Sequence, residues 1–302
     1  MAEAPHIVVI GDVIDDVQAV TNGEIRPDTD TLADIAVRPG GSGANTACWA
    51  GNRGLNVTVY GRVGFNDIAR HTVEFERFGV TPILQADEDK PTGTIVVIVQ
   101  GESRSMLSDR GANVTLDVSD VMHDVSERPH ILHLTGYSFF HRNNTDDLIG
   151  VMERTREVGG HVMIDCSSVG FLEDHGASWW WEIARHATII KGNADEAEFL
   201  TGHRDEEAAR VLADKGFIAL VTRGSEGASW CEPGGKPQTL PAHPLGAAGF
   251  VDPTGAGDAF SAGFIAEYAV GKSLEECVRE GLKTSAAAIS QPGARPSSLQ
   301  TH

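Results

Sequence analysis

The sequence predicts an α/β fold: a doubly wound, mostly parallel sheet flanked by helices, with a small β-strand lid. Three observations carry this expectation. Short apolar runs recur along the chain, helical patterns separate most of them, and two alternating stretches interrupt the rhythm.

Taken in order, the run over 6–11 is apolar and ends in Gly-Asp, as a buried parallel strand does. Runs at 57–60, 131–134, 162–165, 188–190 and Ile218–Thr222 predict further strands, and helical patterns fall at 44–53, 67–78, 145–158 and 196–200. Sheets of this kind bind ligands beyond the C-terminal strand ends. The stretches 13–38 and 92–108 alternate instead, with turn signals at Asn22-Gly23, Pro27-Asp28 and Gly101-Glu102. They read as β insertions forming a lid over the strand ends; the alternative is two edge hairpins of the main sheet. No linker, low-complexity tract or internal repeat divides the chain, so residues 1–302 read as one domain, with a tail loosely ordered beyond Pro296.

A formal net charge of −19 argues against nucleic acid and anionic membranes as main partners, since both need a basic surface. It does not argue against a nucleotide, which a local set of N–H groups and a few cations can hold. Cys48, Cys166, Cys231 and Cys277 form no CxxC pair and match no zinc spacing. They read as buried free thiols, hence a reducing, cytoplasmic setting. The first residues lack a leader pattern, and no apolar stretch reaches membrane-span length. His130 and His133 bracket a strand and read as structural. Trp179, Trp180 and Trp181 read as a helix packing on the sheet.

Chemistry concentrates in Asp252-Pro-Thr-Gly-Ala-Gly-Asp-Ala-Phe260, ahead of a buried helix beginning near Ala256. A glycine turn feeding a helix start exposes unpaired N–H groups at the positive end of the helix dipole. Such a site suits phosphate. A carboxylate there is repelled by phosphate, so Asp258 suggests chemistry, namely taking a proton from an attacking hydroxyl. The plainer alternative is a helix-start residue that favours the dipole. Gly40-Gly41-Ser-Gly43 is a second glycine turn, opening the helix over 44–53, and Asn45 offers both a donor and an acceptor.

The chain resembles the ribokinase-like (PfkB) family of carbohydrate and nucleoside kinases along nearly its whole length. The resemblance rests on Asp252 to Phe260, on Pro39-Gly-Gly-Ser-Gly-Ala-Asn-Thr-Ala47, on Lys191-Gly-Asn-Ala-Asp-Glu196 and on Thr222-Arg-Gly-Ser-Glu-Gly227, in consistent order. It implies an ATP-dependent kinase with Asp258 as catalytic base and Gly255, Ala256 and Gly257 as an anion hole. It assigns Asp12, Gly41 and Asn45, with neighbouring Gly40, to substrate hydroxyls. It places Thr222, Gly224 and Gly227 on ATP and lets Lys191 reach a phosphate. It draws the adenine pocket from 247–251 and 283–289, Ser285 included, and puts Asp252 where some relatives hold K⁺.

Other residues keep two readings. Arg110, in Asp109-Arg-Gly-Ala-Asn113, pairs with a substrate oxygen or a phosphoryl group, or else forms a surface ion pair. Tyr137 lies just past a strand end, near the expected cleft. Asp15 and Asp16 are weaker site candidates, equally explained as a solvated turn. Asn193 and Glu196 are spaced to hold a hydrated Mg²⁺ through its waters, to cap a helix, or both.

The leading expectation is phosphorylation of a ribose- or fructose-like sugar. The alternatives are an adenosine-like nucleoside kinase and a catalytically silent sugar- or nucleotide-binding regulator. A nucleoside needs an aromatic shelf, for which Trp49 and Phe139 are the candidates. A dinucleotide-dependent redox enzyme is disfavoured, because no GxGxxG follows the first strand. Exposed lid strands invite pairing with a second copy, hence a homodimer.

Overall fold

The computed structural model describes residues 6–100, 103–126, 130–140 and 145–297. The strands are β1 (His6–Ile10), β2 (Ile14–Thr21), β3 (Ala33–Gly40), β4 (Asn56–Gly64), β5 (Val80–Asp87), β6 (Gly93–Gln100), β7 (Ser103–Asp109), β8 (Ile131–Thr135), β9 (His161–Asp165), β10 (Ile189–Asn193), β11 (Ile218–Thr222), β12 (Ala228–Cys231) and β13 (Gln238–Leu240). The helices are α1 (Ser42–Asn52), α2 (Ile68–Glu76), α3 (Ser119–Asp124), α4 (Asp146–Glu157), α5 (Val169–His175), α6 (Ala177–Ala184), α7 (Ala194–Thr201), α8 (Asp205–Asp214), α9 (Ala256–Ala269) and α10 (Leu274–Ile289).

Among the described residues the main sheet has nine strands, in the order β13-β12-β11-β10-β9-β8-β1-β4-β5. All neighbours from β11 to β5 pair in parallel; β12 and β13 add an antiparallel edge. β1 shows why the sequence demands this. All five of its residues are buried, so both faces need cover. Val8 and Ile10 join a core with α3 to α8, while Ile7 and Val9 join a core with α1, α2, α9 and α10. Trp180 lies fully inside the first core and Trp179 and Trp181 pack on it, as a helix face against the sheet should. The four cysteines are free and buried.

β5 has no strand expectation in the sequence because Pro82 interrupts its pattern. At a sheet edge, proline's missing N–H costs no ladder bond, and β5 is that edge. β12 and β13 are short and escape notice for that reason.

The two interrupting stretches form a separate sheet, in the order β3-β2-β6-β7, rather than edge hairpins of the main one. On one face Val17 and Ala19 stand beside Val37, Ile35, Val96, Ile98 and Leu107. On the other, Asp16, Gln18, Arg38 and Val97 line a small cavity with Asp252, Thr254, Gly293 and Ala294, so this second face looks onto the body. The Gly101-Glu102 turn and the tail beyond Ser297 lie outside the described residues.

Candidate active site

The C-terminal strand ends and the loops that follow them bring the chemistry-bearing residues together. Asp12 follows β1, Tyr137 follows β8, Asp165 closes β9, Lys191 lies in β10 and Thr222 closes β11. Facing them is the N-terminus of α9.

Gly255 caps α9 at φ 77°, a left-handed conformation that suits glycine, and a Cβ there would lie 2.6 Å from the Ala294 carbonyl. Of the first-turn amides, that of Ala256 is taken by the Pro253 carbonyl at 3.2 Å. Ala256 therefore contributes less to an anion hole than the sequence suggests. By helix geometry the amides of Gly257 and Asp258 are left for an outside acceptor. Gly257 matters for closeness: its missing Cβ would sit 2.7 Å from Lys191 Nζ. The ammonium thus lies against the helix start, adding a full charge to the dipole's partial one.

Lys191 Nζ is 2.6 Å from Asp165 Oδ2, and both side chains are buried. Burial alone would lower the lysine's pKa, but the charges of Asp165 and Glu196 hold it above its ordinary value. It stays a cation.

Asp258 is held by α1. Ser42 Oγ donates to Oδ1 at 2.6 Å and Asn45 Nδ2 donates to Oδ2 at 2.9 Å. Burial pushes the carboxyl up to about 7, against the lowering effect of these two bonds. A carboxyl poised there exchanges protons near neutral pH.

The second cluster is Asp12, Arg110 and Tyr137. Arg110 Nη1 reaches Asp12 Oδ2 at 3.5 Å, and Nη2 donates to the Tyr137 carbonyl at 2.8 Å. The guanidinium carbon lies 5.2 Å from the centre of the Tyr137 ring. Arg110 is therefore a buried residue of this cluster and not a surface ion pair. Asp12 Oδ1 and Arg110 Nε are buried and have no hydrogen-bond partner among the described residues. An oxygen-rich ligand would satisfy both. The Tyr137 phenol is raised by burial, then by Asp12, Glu196 and Asp258, which shows that the two clusters share one neighbourhood.

Gly40 and Gly41 join β3 to α1 at the foot of the lid. Asp16 sits against Gly40, whereas Asp15 is paired with Arg70 of α2 and takes no part in the cluster. Trp49 and Phe139 are both buried, and the Trp49 ring N–H is bonded to the Ala294 carbonyl at 2.9 Å. Neither offers a shelf for a base.

Asn193 and Glu196 form a reciprocal helix cap. Asn193 N and Nδ2 donate to Glu196 Oε2 and Oε1 at 2.8 and 2.9 Å, and Glu196 N donates to Asn193 Oδ1 at 2.9 Å. Burial, then Asp165, raises the Glu196 carboxyl to about 7. Asn193 is exposed and lines a cleft with Thr222, Arg223 and Gly224. Gly227 instead packs on the Leu240 carbonyl. A neighbouring cleft of about 490 Å³ is lined by Gly224, Leu245, Phe250, Ala256, Ser285 and Ile289 among others. It draws on both segments expected to form the adenine pocket. Asp252 is a loop clamp: Oδ1 accepts from Thr254 N and Oγ1, and Oδ2 from Gly293 N. Three donors on one carboxylate suit that role better than an open seat for K⁺. Among the described residues no group of three or more His, Cys, Asp or Glu could hold a metal, and no helix is long and apolar enough to cross a membrane.

Three residues of the site carried no expectation. Ser42 was hidden inside its glycine motif. Asp165 ends a strand as Asp12 follows one, and that position is the sequence signal for it. Arg295, bonded to Asn45 and Gly40, sits just ahead of the tail expected to be loose.

The chain matches the pfkB family carbohydrate kinase family over residues 4–301. It is 32% identical to an uncharacterized sugar kinase of Archaeoglobus fulgidus over 245 residues, covering 80% of this chain and 94% of that one. The adenosine kinase structure from Sinorhizobium meliloti superposes with a TM-score of 0.86 at 25% identity, covering 98% of this chain and 97% of that one. A ribokinase from Cryptococcus neoformans in complex with ADP shares the fold, with a TM-score of 0.76 at 21% identity, covering 97% and 96% of the two chains.

Proposed function

This chain belongs to the pfkB family of carbohydrate kinases, an ATP-dependent kinase acting on a sugar or nucleoside, and from that premise we propose that it phosphorylates a hydroxyl of a small ribose- or fructose-like sugar, with Asp258 as the base. The observation that carries this reading is the geometry around Asp258: its carboxyl is held by Ser42 and Asn45 in the first turn of α9, against which Lys191 packs at Gly257, and burial pushes it up to about 7.

In the proposed reaction the acceptor hydroxyl is ordered by Asn45, Asp12 and Arg110. Asp258 takes its proton as the oxygen attacks the γ-phosphorus of ATP. The bond from that phosphorus to the bridging oxygen of ADP breaks, and Asp258 later returns the proton to solvent. The amides of Gly257 and Asp258, with the Lys191 ammonium, stabilise charge on the transferring group. The cleft beside Ser285 takes the adenine, and Thr222 and Gly224 border the phosphates. Mg²⁺ bound with the nucleotide would neutralise phosphate charge; Asn193 and Glu196 are both engaged in the helix cap, and of the two only Asn193 is exposed, so its amide oxygen would accept from one of the ion's waters alongside the cap bond. K⁺ has no part in the proposed reaction.

A sugar is preferred over a nucleoside because both candidate shelves, Trp49 and Phe139, are buried, and Arg110 covers a face of the neighbouring Tyr137 ring. The four-stranded sheet is taken as the lid of a single catalytic domain. Its apolar outer face, with Ile35, Val37 and Leu107 at 67%, 64% and 60% exposure, supports a homodimer formed lid to lid. Four buried free thiols support a reducing, cytoplasmic setting.

The test is ADP release with ATP and Mg²⁺ over a panel of D-ribose, D-fructose, other small sugars, adenosine and cytidine. Turnover with a sugar above that with any nucleoside is the expected result. Preference for a nucleoside would overturn the substrate assignment.

A further inference from the structure

Arg295 is only 7% exposed, a cation carried inside the protein by the segment after α10. Its ion-pair partner, Glu74 Oε1, is distant at 4.0 Å, and Nη1 makes no hydrogen bond among the described residues. Its guanidinium carbon lies 5.1 Å from the centre of the Phe75 ring. Burying a cation so weakly paired is costly, so the other contacts must account for it. There are two. Arg295 Nε donates to Asn45 Oδ1 at 3.3 Å, and Nη2 donates to the Gly40 carbonyl at 2.9 Å.

An asparagine amide has a donor end and an acceptor end, and its neighbours decide which way it points. Asn45 has a donor, Arg295, on one side and an acceptor, Asp258 Oδ2, on the other. Only one orientation satisfies both. We propose that Arg295 is a positioning residue, which locks the Asn45 amide with its NH₂ toward Asp258 and ties that lock to Gly40 at the foot of the lid. The surrounding segment is well anchored for the purpose. Ala294 O accepts from Trp49 at 2.9 Å, Gly293 N donates to Asp252 at 3.0 Å, and Gln291 Nε2 donates to the Arg295 carbonyl at 2.7 Å.

The lock bears on proton affinity. Asp258 is faced by Ser42 and Asn45 from α1, Asp165 from β9, Lys191 from β10 and Tyr137 from beyond β8. Burial and Asp165 favour the protonated form; Ser42, Asn45 and Lys191 favour the carboxylate. Freeing the Asn45 amide removes one of two hydrogen-bond donors, so Asp258 keeps its proton to higher pH.

The inference rests on Asp258 being the base. Its test compares Arg295→Ala, Arg295→Lys, Asn45→Ala and the Arg295→Ala/Asn45→Ala pair. The Asp258 carboxyl is titrated by carbon NMR, and KM is measured for the panel acceptor that wild type turns over fastest. For Arg295→Ala the carboxyl titrates at higher pH and KM rises about five- to tenfold, the worth of one buried hydrogen bond. ATP affinity by calorimetry stays as in wild type. Arg295→Lys recovers part of both effects, and Arg295→Ala adds little once Asn45 is alanine. A wild-type titration and KM in Arg295→Ala would overturn the proposal. So would full additivity with Asn45→Ala, or a loss of ATP affinity matching the rise in KM. If Asp258→Asn turned over normally, the reading of Asp258 would fall; if it is inactive while Arg295→Ala behaves as wild type, only the positioning role falls.

Discussion

Lys191 and Asp165 stand opposite each other on neighbouring parallel strands, their side chains paired at 2.6 Å. Breaking a buried pair strands the remaining charge. Asp165→Asn is therefore expected to lower stability by about 3–5 kcal/mol. The check is a denaturant melt followed by circular dichroism, with an unchanged midpoint contradicting the pairing's importance. ATP affinity should fall in parallel, because Lys191 loses the group that aims it at Gly257.

Asp258→Asn is expected to keep ATP binding and to lose about 10²–10⁴-fold in kcat, the usual worth of a positioned base. Near wild-type turnover would remove the assignment. In the native enzyme the base works only when ionised, so kcat should fall as pH drops through about 7. Stability runs the other way. The folded carboxyl holds its proton well above the ordinary value of 3.8. The resulting stabilisation is complete below that value and is lost as pH rises through about 7. Melting temperatures of Asp258→Asn and wild type should thus diverge in favour of the variant between pH 5 and pH 8.

Gly257→Ala places a methyl group 2.7 Å from Lys191 Nζ. A free lysine tip would swing aside at little cost, but this one is held by Asp165. Either the ammonium or the start of α9 must move. A fall in kcat of about 10²-fold is expected, the cost typical of losing one preorganised donor, together with a lower thermal midpoint because the buried Lys191–Asp165 pair is disturbed. Unaltered kcat would show that the close approach has no catalytic use.

Val37→Asp puts a charge on the apolar outer face of the lid. The expected outcome in light scattering is a wild-type dimer and a variant monomer at micromolar concentration. A monomeric wild type would refute the lid-to-lid assembly.

A residue's role is legible in this sequence where that role is local. The central strands were legible because burial on both faces leaves continuous apolar runs, as in β1 and β8. Asp258 and Asn45 stood out because glycine turns at helix starts are local signals. Asp165 did not, although it ends a strand, since its importance comes from Lys191 across the sheet. Arg295 was hidden by composition: proline, serine and glycine around it suggest a loose tail, yet its guanidinium is buried. The Glu196 cap was legible from spacing alone, whereas the burial of that carboxyl was not.

The bonds that close the site join distant parts of the chain. Those to Asp258 span 216 and 213 residues, and those from Arg295 span 250 and 255. Contacts so remote form late in folding, because the chain must surrender the entropy of large loops before they reward it. No segment of this protein holds a working fragment of the site. During refolding, helical signal should return first and catalytic competence last, making activity a sensitive report of the final steps of folding.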